Sequence, residues 1–135
     1  MIKQQERMLE KINYLETFKF KLGNSTRGFK KFKMEFTSDG VNIYKNDYDS
    51  KIEQITSKKK IQSIKDDIGD LFLQDWSNLY TSETPYSDYK EWVLTLEFKK
   101  ENKMVFSGIN SFPKNWDKLM MFLNEHTDDF VEEDE

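Results

Sequence analysis

The chain predicts an α+β fold: an antiparallel sheet of about five strands, a three-strand meander plus a hairpin, packed by an N-terminal, a middle and a C-terminal helix. Three observations carry this expectation. Trp92, Leu94, Leu96 and Phe98 alternate with Val93, Thr95 and Glu97, so one face of an extended segment is continuously apolar. Phe18, Phe20 and Leu22, and again Phe32, Met34 and Phe36, alternate with charged residues, as half-exposed strands do. Ile61, Ile64, Ile68, Leu71, Phe72, Trp76 and Leu79 recur at helical spacing.

Taken in order, Met8, Leu9, Ile12 and Leu15 predict a helix over residues 2–15, and Phe18 to Leu22 a strand. Gly23 to Gly28 is a polar loop bounded by glycines. The second strand, around Phe32 to Phe36, turns at Ser38-Asp39-Gly40, because Asp-Gly supplies the positive φ of tight turns, and Val41 and Ile43 continue into a third. Asn46 to Gln54 has no clean periodicity and reads as loop. Thr56 or Ser57 caps the middle helix, which runs on to Leu79 although Gly69 costs about 1 kcal/mol relative to alanine. Thr81 to Asp88, with Pro85, is a connector. A hairpin over 91–107 follows, then Asn110 to Pro113 leads into a helix that turns Trp116, Leu119, Met120 and Leu123 inward.

Length and composition bound the class. At 135 residues the chain makes one domain, placed at 1–127, and with 36% hydrophobic but 15% aromatic residues its core must use few, large side chains. There is no cysteine, which excludes disulfides and thiolate metal sites. Nineteen lysines against two arginines, and no alanine, is the bias of an AT-rich genome and points to a bacterial or phage source. The N-terminus lacks the apolar run of a signal peptide and no segment has the length of a membrane span, so a cytoplasmic location and no membrane partner are expected. The sequon Asn24-Ser25-Thr26 is then idle. Net charge is −4, but residues 128–135 hold six of the 25 acids and no base, an acidic tail on a nearly balanced body.

Few residues offer chemistry. His126, the single histidine, sits after the last helix, where a surface role near a helix C-terminus outweighs a catalytic one. Asp66, Asp67 and Asp70 cluster on the middle helix, but the lysines around them give an ordinary solvated face. Asp47 and Asp49 lack the glycine and glutamate of a calcium loop. No catalytic residue, cofactor or metal ligand is expected.

Binding residues are easier to nominate. Lys19, Lys21, Lys31 and Lys33 share the polar side of adjacent strands. With Arg27 in the glycine-bounded loop, which has the composition of an anion-binding nest, they are candidates for a nucleic-acid or anion contact. That face lacks an aromatic platform unless Tyr44 or Tyr48 supplies one. Tyr86 and Tyr89 on the connector, and Asp128, Asp129, Glu132 and Glu133 of the tail, are candidates for a protein partner.

The unit W-x-L-x-L-x-F from Trp92 to Phe98, then Gly108-x-Asn110-x-Phe112-Pro113 and a helix from Asn115-Trp116, resembles small bacterial proteins of Gram-positive genomes and mobile elements whose activity is not known. The likeness spans about residues 18–124; the chain departs from it where Lys99-Lys100-Glu101-Asn102 replaces the usual Asp-Gly or Asn-Gly turn. It implies structure and no activity. The expected function is therefore non-catalytic binding of a macromolecule. One form is a phage or mobile-element inhibitor that captures a host defence nuclease in stoichiometric amount. The alternatives are a toxin-immunity protein and a nucleic-acid-binding protein using the lysine face.

Overall fold

The computed structural model describes residues 2–24, 26–46, 48–81, 90–99, 102–127 and 130, with side chains from Gln5 onward. The elements are α1 (Ile2–Ile12), β1 (Leu15–Asn24), β2 (Gly28–Thr37), β3 (Gly40–Lys45), β4 (Ser50–Ile55), α2 (Lys58–Gly69), a short 3-10 turn (Leu73–Asp75), β5 (Leu79–Thr81), β6 (Glu91–Phe98), β7 (Met104–Ile109) and α3 (Trp116–Asn124). One mixed sheet orders seven strands as β4-β3-β2-β1-β6-β7-β5. The fold is α+β as expected, but the sheet has seven strands rather than about five, and β5 runs parallel to β7.

Each departure has a local cause. In β4 only Ile55 is buried while Lys51 to Gln54 are exposed, so this edge strand lacks the alternation that reveals a strand. The middle helix ends at Gly69 and not at Leu79. Phe72 takes φ 53°, a left-handed conformation no right-handed helix contains, and the chain then makes the 3-10 turn. The apolar spacing continues past Gly69 because Leu71, Leu73 and Trp76 are buried by other elements, and the Trp76 indole N–H donates to the Leu71 carbonyl at 3.1 Å. Leu79, assigned to that helix face by spacing, is an exposed residue of β5. Leu15 likewise leaves the first helix and pairs with Phe98 in β1.

All three helices pack on one side of the sheet. Phe18 meets Phe122 of α3 edge-on at 5.5 Å, and Phe20 meets Trp116 at 5.8 Å. Met8 and Ile12 of α1 and Ile64 and Ile68 of α2 join the same core as Phe32, Met34, Ile43, Leu94 and Leu96. Gly69 lets the helices close up, since a methyl group there would sit 2.6 Å from Leu9 Cδ2. Phe130 is the one described residue of the acidic extension, and it is buried against Phe20 with ring centroids 5.3 Å apart.

The tryptophan–glycine motif is a packing device. Trp92 pairs with Gly108 across β6 and β7, and its indole N–H donates to the Ser111 carbonyl at 2.9 Å. A Cβ on Gly108 would lie 2.5 Å from Trp92 Nε1 and 2.6 Å from that carbonyl oxygen, so only glycine admits the ring. Asn110 then turns the chain with φ 53° while its side-chain oxygen accepts from the Lys90 N–H at 2.8 Å. Trp116 packs at a tilt against Trp92 and Phe112, with ring centroids 5.1 and 4.6 Å away.

Candidate polyanion-binding face

The opposite side of the sheet carries no helix among the described residues. Because Phe18, Phe20, Phe32 and Met34 point into the core, period-two alternation turns Lys19, Lys21, Lys31 and Lys33 outward. Register then sets Lys19 opposite Lys33 and Lys21 opposite Lys31 on neighbouring strands, making a two-by-two lattice of ammonium stems. Like charges directly across a strand pair oppose folding. All four side chains are half-buried, which adds to the cost of gathering them.

Aromatic rings and one carboxylate offset part of that repulsion. Lys33 Nζ lies 4.5 Å from the centroid of Tyr44, and Lys21 Nζ lies 4.6 Å from that of Phe29. The ring of Tyr48 sits 5.7 Å from both Lys19 Nζ and Lys31 Nζ. Lys19 also pairs with Glu97 of β6 at 3.4 Å. Tyr48 reaches this position from the turn between β3 and β4, where it holds φ 68° and Asn46 holds φ 64°. Lys19, Lys21, Lys31, Tyr48, Val93 and Thr95 enclose a shallow hollow of about 170 Å³.

Charge changes along the strands. Thr17 is paired with Glu35 on one side and Glu97 on the other, so carboxylates bound the lattice at that end. Tyr44 donates its hydroxyl to Glu35 Oε1 at 3.4 Å. Burial first, and the Glu35 charge and hydrogen bond next, push its phenol above the usual value. A larger hollow of about 340 Å³ at the carboxylate end is lined by Glu16, Thr17, Glu97, Phe98, Asn102 and Lys103 and has no aromatic ring beyond Phe98.

The structure brings Lys19, Lys21, Lys31 and Lys33 together as the sequence anticipated, with Tyr44 and Tyr48 beside them. It does not make a nest of the Gly23–Gly28 loop. Asn24 Oδ1 accepts the N–H groups of Thr26 and Arg27 at 3.0 and 2.7 Å, so those donors are spent within the turn, and Arg27 stands exposed at its tip. Tyr86, Tyr89, Asp128, Asp129, Glu132 and Glu133 lie outside the described residues, as does Asp47. Phe29 and Glu97 were missed. Phe29 shares the parity of Lys31 and Lys33 and was legible from alternation alone; Glu97 joins the face only because β6 pairs with β1.

A second cluster occupies the covered side. His126, expected at the surface, is half-buried against Phe122 with ring centroids 5.4 Å apart, and its Nε2 is buried without a hydrogen-bond partner. Burial holds its pKa below the usual value even though Glu125, Glu53 and Asp67 pull the other way. Asp67, expected on a solvated helix face, is half-buried beside it, and burial together with Glu125 and Asp70 raises its pKa. Asp66 and Asp70 are exposed as expected. Among the described residues no three His, Cys, Asp or Glu side chains are arranged to hold a metal ion, and no helix is long and apolar enough to cross a membrane.

No family model, curated protein or solved structure matches the chain.

Proposed function

We propose that this protein is a non-catalytic macromolecule-binding domain and that its open sheet face binds nucleic acid. One observation carries the reading: four lysines, set in register on two adjacent strands, are gathered on the face that carries no helix among the described residues and are interleaved with Tyr44 and Tyr48. Cations in a row neutralise phosphates, and rings among them offer a surface for bases. The net charge of −4 does not oppose this, because six of the 25 acids belong to residues 128–135 and the rest of the chain is nearly balanced.

Binding of generic DNA or RNA at low salt is the expected result. If all four lysines meet phosphates, affinity falls on the order of 50- to 150-fold between about 50 and 200 mM salt. The double variant Lys31→Glu/Lys33→Glu abolishes binding while leaving the fold intact, because both side chains point away from the core. Absence of any binding at low salt removes the proposal.

A second reading, capture of a protein such as a defence nuclease or a toxin, is favoured by a different part of the same face. Leu79 of β5 and Val105 and Ile109 of β7 are exposed apolar side chains on neighbouring strands, the kind of patch that marks protein contacts. Leu79→Asp/Ile109→Asp would weaken such a complex and leave nucleic-acid affinity unchanged.

A further inference from the structure

We infer that the nucleic acid taken by this face is single-stranded, with bases stacked on Tyr48 and Tyr44 and phosphates held by Lys19, Lys21, Lys31 and Lys33. The inference rests on the nucleic-acid reading above and narrows it. Lysines alone do not separate the two forms of nucleic acid, since both carry phosphates. Rings do. A duplex keeps its bases stacked inside and shows only their edges in grooves that admit a helix or a two-stranded ribbon. The lattice here lies on β1 and β2, inner strands of a seven-stranded sheet, a face broader than the helix or two-stranded ribbon that an undistorted major groove admits. A single strand lays unpaired bases on exposed rings.

The turn that carries Tyr48 gives an independent argument. A φ of 68° places a bulky L-residue in the left-handed region, at a cost of about 1–2 kcal/mol. Asn46 occupies the same region with φ 64°, and asparagine tolerates it. Tyrosine at the second position is the costly choice, and its effect is to hold a ring over Lys19 and Lys31. A contact residue kept in an unfavourable backbone conformation is a mark of a functional surface. Each of the two rings then has at least one ammonium group within 6 Å of its centroid, so a base laid on the ring brings its phosphate near a cation. Glu35 and Glu97 repel phosphate and close the track at the Thr17 end. The site therefore holds a short segment, two bases on two rings.

The test is fluorescence anisotropy of the full chain with a labelled thymidine oligomer of about 12 nucleotides, a uridine oligomer of that length and a duplex of that length, at about 50 mM salt. Single strands are expected to bind about tenfold tighter than the duplex or better. Tyr48→Phe keeps that affinity, whereas Tyr48→Ala loses about fivefold or more, the loss expected for removing one stacked base, and Tyr44→Ala a similar amount. If Tyr48→Ala melts below the assay temperature, Tyr48→Leu takes its place, because leucine keeps an apolar side chain and has no π face. Equal or tighter binding of the duplex, or undiminished affinity of the folded tyrosine variants, overturns the single-strand assignment and leaves the nucleic-acid reading standing. Failure of all three probes to bind overturns both.

Discussion

The two faces of β6 and its neighbours obey different rules. On the covered face, Trp92, Gly108, Ser111, Phe112 and Trp116 support one another: the glycine admits the indole, the indole N–H finds a carbonyl, and the rings pack at a tilt. Those five residues all agree with the fold, and the one left-handed position among them in sequence is taken by Asn110, a residue that tolerates it. On the open face, two lysine pairs oppose each other in register and a tyrosine sits at positive φ. Those choices work against folding, and among the described residues rings and Glu97 offset them. A region whose residues are all explained by packing needs no further account. A region that costs stability calls for one, and places where a sequence breaks local rules are where function is sought.

The sharpest way to break this contrast is Gly108→Ala. The added methyl meets the Trp92 ring and a backbone oxygen at 2.5 and 2.6 Å, neither of which yields easily. A loss of about 3 kcal/mol, on the order of 10 °C in Tm, is expected by thermal or denaturant melting. A loss under about 1 kcal/mol would show the latch to be loose, since tight overpacking costs more than that.

Tyr48→Asn probes the other side. Asparagine accepts the left-handed turn, so relief of strain of about 1 kcal/mol balances or exceeds the lost ring contacts. The variant is expected to melt at or above the parent temperature while binding nucleic acid more weakly. A clear drop in stability would mean that Tyr48 belongs to the packing, as Trp92 does.

The smallest effect concerns His126, since Glu53, Asp67 and Glu125 offset part of the burial that lowers its pKa. A histidine whose folded pKa lies below its unfolded value of 6.5 leaves stability intact above that pH. As pH falls below 6.5 the unfolded chain takes up the proton first, and stability declines until the folded pKa is passed. Denaturant melts of His126→Gln between those limits should show a shallower decline than the parent. Parallel curves would place the acid sensitivity in other groups.

Much of this arrangement follows from local sequence pattern. Alternation in Phe18–Leu22, Phe32–Phe36 and Trp92–Phe98 assigned the inward face of each strand, and the same alternation put Lys19, Lys21, Lys31 and Lys33 together on the outward one. Strand and helix periods are local properties, set within a few residues by backbone geometry. What stayed hidden depended on partners distant in the chain. The edge strand β4 shows no alternation because nothing but Ile55 is buried, and the apolar spacing continues past the end of α2 at Gly69 because Leu71 and Leu73 join the core there and Trp76 packs edge-on against Trp92 and Phe106.

The sequence by itself determined the α+β class, the polarity of each principal strand and the absence of any cysteine-based chemistry. Only the tertiary structure decided the order of the strands, the pairing of Lys19 with Lys33 and Lys21 with Lys31, the arrival of Glu97 beside Lys19, and the reach of Tyr48 across the sheet. The physical reason is that periodicity assigns a side chain to a face, whereas register and turn geometry, which bring residues of different strands within reach, are settled by packing over the whole sheet.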